Sequence, residues 1–260
     1  MNANSDGHLS YPGGKLRLYV EAELSEGARV VPADGQTHYL LHVMRAQAGD
    51  RVSLFNGRDG EWLARIVETG KRSCTLECER LVAPQTEVLD LWLVFAPIKK
   101  TPADYLAQKA TELGVRALVP VITRRTIVVR VNVERMRANA VEAAEQSGRL
   151  DVPEIREPLA FEKLLATWPQ ERRILFCDEA GAAATAGEAP PIAAALRGAT
   201  GGPWAVFTGP EGGFDPTERA ALRAMACVTP VSLGERILRA DTAALSALSI
   251  WQAIRGDWPQ

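Results

Sequence analysis

The sequence predicts an α/β protein: a parallel-sheet domain preceded by a smaller β-rich one. Three observations carry that expectation. From residue 89 onward, short apolar runs alternate with stretches of helical length, the order in which strands and crossover helices build a largely parallel sheet. The run 89–96 is apolar almost throughout, as a strand buried on both faces must be. Upstream, residues 15–85 read as strands broken by glycine turns around one helix. The chain has 260 residues, 47% of them hydrophobic and 24% charged, enough for two domains with full cores.

Residues 1–14 are polar and glycine-rich and lack an apolar signal core, so they read as a flexible leader. In the domain 15–85, strands are expected at 16–20, 52–55, 62–67 and 74–79. Turns fall at Asn56-Gly57-Arg58-Asp59-Gly60 and Thr69-Gly70-Lys71. A helix over 36–45, with Asp34 as a possible cap, interrupts the strands, and the whole suits a compact barrel. The polar, proline-containing segment 84–87 marks the boundary.

The second domain, 88–260, opens with the strand 89–96. Lys99 begins a loop, and a helix over 103–113 stops at Gly114. A strand Ala117–Ile122 leads to Thr123-Arg124-Arg125-Thr126, and helices follow over Val133–Ser147 and Phe161–Ala166. A strand Arg173–Cys177 ends at Asp178-Glu179. Residues 181–202 are rich in alanine, glycine and proline and read as loop, with one short helix over Ile192–Arg197. Next, the apolar run Trp204-Ala205-Val206-Phe207 stops at Thr208-Gly209-Pro210-Glu211-Gly212-Gly213. Asp215 then supplies an N-cap, Pro216 a first helical residue and Glu218 an acid at the third position. That helix runs to Met225. A strand over 228–233 reaches the loop 234–240, and Asp241 is expected to cap the last helix. Ala244, Leu248, Trp251 and Ile254 form an apolar stripe on it.

Two loops therefore leave the carboxyl ends of two strands in one α/β unit, where such sheets bind ligands. Neither the Lys-Ser/Thr end of a phosphate loop nor a Gly-x-Gly-x-x-Gly fingerprint is present, and Glu211 would repel phosphate. The glycines suit a ligand held by bare backbone groups; an adenosine carrying a sulfonium meets that description. No Ser-His-Asp set is plausible, because His38 and His42 lie far from these loops in sequence. Those two histidines have metal-site spacing but no further ligands, so no metal is expected. Four cysteines without paired spacing fit reduced thiols in a cytoplasmic protein. No apolar run is long enough to span a bilayer. The net charge is −2, yet residues 99–149 carry ten Lys+Arg against five Asp+Glu. That excess suits a polyanion or a solvated helix face, and Arg124 and Arg125 within it can meet phosphate or a base oxygen.

The motifs Gly209-Pro210-Glu211-Gly212-Gly213 and Leu233-Gly234-x-Arg236-Ile237-Leu238-Arg239-x-x-Thr242-Ala243 together resemble the RsmE family. These are small-subunit ribosomal RNA methyltransferases acting at N3 of a uridine, in the SPOUT superfamily. The resemblance extends to Gln108-Lys109-Ala110-Thr111-Glu112-Leu113-Gly114-Val115, Arg125, Glu145-Gln146-Ser147-Gly148-Arg149 and Val152-Pro153-Glu154-Ile155. In the first domain it includes His42-Val43-Met44-Arg45 and Phe55-Asn56-Gly57. Two departures are Glu235, where proline is frequent, and Asp241, where glutamate is common.

The resemblance implies a PUA-like RNA-binding β-barrel followed by a SPOUT-type, trefoil-knotted parallel-sheet methyltransferase domain. It implies S-adenosyl-L-methionine as cofactor, bent among three loops. Those match Cys177, Asp178 and Glu179; Thr208, Gly209, Pro210, Glu211, Gly212 and Gly213; and Ser232, Leu233, Gly234, Arg236, Ile237 and Leu238. Arg125, Arg236 and Arg239 are the candidates for stabilising charge on the uracil oxygens, with Glu211 or Asp241 as proton acceptor. Arg45, Lys99, Arg124, Arg125 and Arg149 are expected to hold RNA. The implied partners are 16S rRNA in the small subunit and a second copy in a homodimer. Competing readings are a related enzyme acting on ribose 2′-oxygen or tRNA, and an assembly factor without catalysis. A nucleotide-binding α/β enzyme is disfavoured by the missing phosphate motifs.

Overall fold

The computed structural model describes residues 16–128, 130–178, 189–199 and 201–258. The expected leader and Glu179 lie outside them. The chain divides into two compact units. Unit 1 is Met1–Glu87 with Ala144–Val152, and unit 2 is Val88–Ala143 with Pro153–Gln260. A linear division at 85–88 therefore misses the return of 144–152 to the first unit.

Unit 1 holds β1 (Arg17–Tyr19), β2 (Arg29–Val30), α1 (Asp34–His38), β3 (Arg51–Phe55), β4 (Glu61–Thr69) and β5 (Cys74–Ala83). The sheet order is β1-β3-β4-β5-β2, with β1 parallel to β3 and the other pairs antiparallel. Leu18, Leu40, Val52, Leu54, Ile66 and Leu76 fill its core, joined by Cys74 and Cys78. Burial pushes both thiols up, as it does that of Cys227.

The expected helix over 36–45 is shorter and differently built. Asp34 is its first residue rather than its cap, Ala33 holds the N-cap, and Tyr39–Val43 continues as a π-helical turn. The wider turn leaves Tyr39, Val43 and Met44 exposed, and Arg45 exits with φ of 55°.

Arg17 ties this unit together. Its guanidinium lies 4.5 Å from the Phe55 ring centroid and pairs with Glu61 at 3.3 Å. It also donates to the carbonyls of Ala144 (2.9 Å), Glu145 (3.2 Å) and Arg149 (2.8 Å). A buried cation is tolerable here because an anion and three carbonyl oxygens replace its water.

Unit 2 contains β6 (Leu91–Phe95), α2 (Lys100–Glu112), β7 (Ala117–Ile122), α3 (Val133–Ser147, whose last residues belong to unit 1), β8 (Glu154–Ile155), β9 (Leu159–Ala160) and α4 (Phe161–Ala166). It continues with β10 (Arg173–Cys177), α5 (Ile192–Arg197), β11 (Trp204–Thr208), α6 (Pro216–Arg223), β12 (Val228–Val231) and α7 (Ala240–Arg255). The order is β12-β10-β11-β6-β7-β8, with β9 also on β7, and every pair is parallel.

Strand alternation sends Leu91, Leu93 and Phe95 of β6 to one face, against α2, α5 and α7. Trp92 and Val94 go to the other, with Phe161, Leu164 and Leu222 of α4 and α6. Helices thus cover both faces, which explains the continuous apolar run in β6. Pro230 is accommodated because β12 is an edge strand. Ala244, Leu248 and Trp251 of the α7 stripe are buried against the sheet of their own chain. Since all strands run one way, the segments after β6, β7, β10, β11 and β12 leave from a single edge of the sheet.

Candidate functional site

Three of those segments line one cavity. Its walls are Cys177 and Asp178 after β10, Thr208 and Gly209 after β11, and Val231, Ser232, Leu233, Gly234, Arg236, Ile237 and Leu238 after β12. Ala243 closes it from α7. Ten residues expected at a cofactor pocket thus line one space. Val231 and Ala243 were not singled out for it; their signal, small apolar residues flanking the second glycine motif, is weak in sequence. Pro210, Glu211, Gly212 and Gly213 continue the first loop beyond the lining.

Each loop has a local physical reason for its shape. Phe214 folds back so closely that a Cβ on Gly209 would stand 2.7 Å from its ring. That ring packs edge-on against Phe176 and Phe207, with centroids 5.1 and 5.5 Å away. The glycine therefore lets an aromatic cluster clamp the loop to the sheet. In the second loop Gly234 adopts φ of 109°, which side chains resist, and its N–H donates to Ser232 Oγ at 3.1 Å. Ser232 is held in turn by backbone bonds to Pro190 and Ile192 ahead of and within α5.

The paired arginines are fixed by the start of α6. Asp215 caps it and Glu218 completes the capping box, as the sequence predicts. Glu218 does more: its carboxylate, in a residue only 2% exposed, accepts from Arg124 N at 2.8 Å and Asp215 N at 3.2 Å. The Thr123–Thr126 turn is thereby pinned to the glycine loop. Arg124 Nη1 reaches Asp215 at 3.4 Å, and Arg125 Nη1 donates to the Gly212 carbonyl at 3.0 Å. The Thr217 hydroxyl and N–H hold the Asp215 carboxyl below the usual carboxylate range.

Three expected roles need correction. Asp178 lines the cavity, but its buried carboxylate is gripped by Arg219 Nε (2.7 and 3.0 Å) and Arg223 Nε (2.8 Å) from α6. It is a strut between β10 and α6 as much as a ligand group. Arg149, expected on RNA backbone, is in unit 1 with its side chain 9% exposed. Its Nε and Nη2 close on Asp151 at 2.9 and 2.6 Å, so its fork is spent within the protein.

Asp241 does not cap α7; Arg239 occupies the N-cap. The Asp241 carboxylate accepts instead from Thr242 N at 2.8 Å. Arg236, Arg239 and Glu211 are exposed around the cavity's loops, as are Lys99, at the N-cap of α2, and Arg124 and Arg125. Arg45 is exposed on unit 1. Among the described residues no cluster of three or more His, Cys, Asp or Glu can hold a metal, and no helix is long and apolar enough to cross a membrane.

An RNA methyltransferase domain family matches residues 85–252, and an RNA methyltransferase PUA domain family matches 32–78. The ribosomal RNA small subunit methyltransferase E of Rickettsia conorii is 32% identical over 235 residues, 90% of this chain and 93% of that protein. The chain belongs to the ribosomal RNA small subunit methyltransferase E family. Solved structures agree. The Neisseria gonorrhoeae family member bound to S-adenosyl methionine superposes with a TM-score of 0.82 at 28% identity, covering 94% of this chain and 99% of that one. A Legionella pneumophila protein in complex with the same cofactor gives 0.78 at 26% identity, covering 92% and 97%. In this family the β-rich unit is the PUA-like domain and unit 2 the methyltransferase domain.

Proposed function

We propose that the protein transfers a methyl group from S-adenosyl-L-methionine to N3 of a uridine in 16S rRNA of the small ribosomal subunit. The carrying observation is the single cavity built by the loops after β10, β11 and β12 in a chain of this family. Leu233, Ile237 and Leu238 offer apolar walls for an adenine, and Gly209, with no side chain, lets the loop backbone approach a ligand. The residue set therefore fits the cofactor, which when bound supplies an already activated methyl group.

The chain's own task is to align and deprotonate the acceptor. Loss of the N3 proton spreads negative charge onto both uracil carbonyl oxygens. Arg125, Arg236 and Arg239 stabilise that charge without losing a proton themselves. Arg125 is the best supported of the three, because Gly212 and the Glu218-anchored turn fix its position. Glu211 takes the N3 proton in this reading; the alternative is Asp241, whose carboxylate already accepts from the Thr242 N–H. Lys99, Arg124 and, on unit 1, Arg45 contact the RNA backbone.

The protein acts in the cytoplasm as a homodimer in this account. The unusually exposed Ile127 (77%) and Ile237 (84%) on unit 2 support association, and sedimentation velocity tests it. The activity itself is tested with labelled S-adenosylmethionine offered to unmodified small subunits, large subunits and tRNA. Label is expected in small-subunit RNA alone; its appearance only in tRNA removes the proposal.

A further inference from the structure

We propose that a second cavity in unit 2 receives the target nucleotide, unstacked from its RNA neighbours; this rests on the methyl transfer proposed above. An enzyme that modifies an atom of a base must take that base out of its stack and seat it beside the reactive group. Such a seat needs apolar walls for the ring and polar groups at its mouth for the sugar and phosphate. A second cavity meets that need, lined by Phe95, Ile98, Val131 and Met136 with Asp104 and Arg130 among its polar groups. Phe95, Ile98 and Met136 are buried parts of the core, so this wall is rigid.

Its position is the stronger reason. Phe95, which lines this cavity, is the register partner of Thr208, which lines the cofactor cavity. The next residue, Ala96, donates its N–H to the Thr208 carbonyl at 3.3 Å. The two spaces therefore open side by side on one edge of the sheet, at adjacent strands. One segment also serves both. The chain after β7 contributes Arg125, bonded to the Gly212 carbonyl of the cofactor loop, and then Arg130 and Val131 to the second cavity. A uracil seated against Val131 in this cavity lies one strand away from the cofactor cavity.

The polar groups are prepared for ribose. Asp104 is held by Arg135 Nε and Nη2 at 2.7 and 2.6 Å and by Asn139 Nδ2 at 3.1 Å. A carboxylate fixed in this way is an acceptor for a 2′-hydroxyl, the group that separates RNA from DNA. Arg130, exposed beside it, suits the adjoining phosphate.

Two experiments on the full chain test the assignment. In the first, 4-thiouridine replaces the methylated uridine in small subunits, which are irradiated with the protein and digested; the crosslinked peptide is read by mass spectrometry. Crosslinks within 95–104 or 128–136 are expected. In the second, Val131→Trp fills the cavity. It should leave the Kd for S-adenosylmethionine within about twofold while kcat/KM for subunits falls at least about 100-fold, the scale of an Å-level misplacement. Asp104→Asn, which keeps the shape, should raise KM for subunits without moving the cofactor Kd. Crosslinks confined to other segments, or a Val131→Trp protein that methylates at the wild-type rate, overturn the inference while leaving the proposed function standing. Wild-type protein that methylates no small-subunit uridine removes both.

Discussion

Replacing Glu218 with alanine should separate RNA handling from cofactor binding. The Glu218 carboxylate accepts two backbone N–H groups, Arg124 and Asp215, from segments 94 and 3 residues away. Truncation leaves both donors without their charged acceptor and opens the capping box of α6. At roughly 1–2 kcal/mol for each lost contact, the expected destabilisation is about 2–4 kcal/mol, a Tm fall on the order of 10 °C. Glu218→Gln keeps one acceptor oxygen but turns an N–H₂ toward a donor, so it should lie between wild type and alanine. Neither Glu218 nor Arg124 lines the cofactor cavity, so calorimetric S-adenosylmethionine affinity should change little. Single-turnover methylation should fall further, because the turn that carries Arg125 loses its anchor. The reasoning is refuted if Glu218→Ala melts with wild type, or if cofactor affinity collapses while methylation at saturating cofactor is unchanged.

Three further substitutions probe the frame. Arg17→Met should cost about 3–5 kcal/mol in chemical unfolding because it strands buried Glu61. Adding Glu61→Leu should recover only part, since the carbonyls of Ala144, Glu145 and Arg149 still lose this donor; full recovery would contradict that. Asn56, then the Leu24 N–H, hold the Asp59 carboxyl below the usual range. A depressed folded pKa stabilises above the unfolded value of about 3.9 and is lost as pH falls through the folded one. Asp59→Asn should therefore melt lower at pH 7 and converge on wild type below about pH 4; a constant gap across that range counts against the linkage. Gly209→Ala should weaken S-adenosylmethionine binding by driving Phe214 off its seat, and the additional change Phe214→Ala should restore part of it. No rescue would mean that the Gly209–Phe214 contact is not what shapes the loop.

The parallel sheet, its helices and both glycine loops were legible because their signals are local. Apolar runs of strand length, proline and acid at a helix start, and glycine where chain reverses all act within a few residues. What escaped depends on partners distant in sequence. Nothing near Glu218 announces that it also holds Arg124, and the spacing of Gly148-Arg149 gives no hint that Asp151 occupies the guanidinium. Asp178 reads as a loop carboxylate until α6 brings Arg219 and Arg223 to it. Strands of two residues, such as β8 and β9, carry too little pattern to detect. Asp241 matched a cap by composition, but α7 starts one residue before it, so Arg239 holds that place. The π-helical turn at Tyr39–Val43 followed from no visible breaker.

The central claim is that this cavity serves methyl transfer to a uracil nitrogen of small-subunit RNA. Its most direct test is nucleoside analysis. Unmodified small subunits are incubated with the protein and isotopically labelled S-adenosylmethionine, the RNA is digested to nucleosides, and the labelled product is resolved by chromatography and mass spectrometry. The account predicts a single labelled nucleoside, 3-methyluridine. Label on a ribose 2′-oxygen, on another base, or nowhere in that RNA would contradict it.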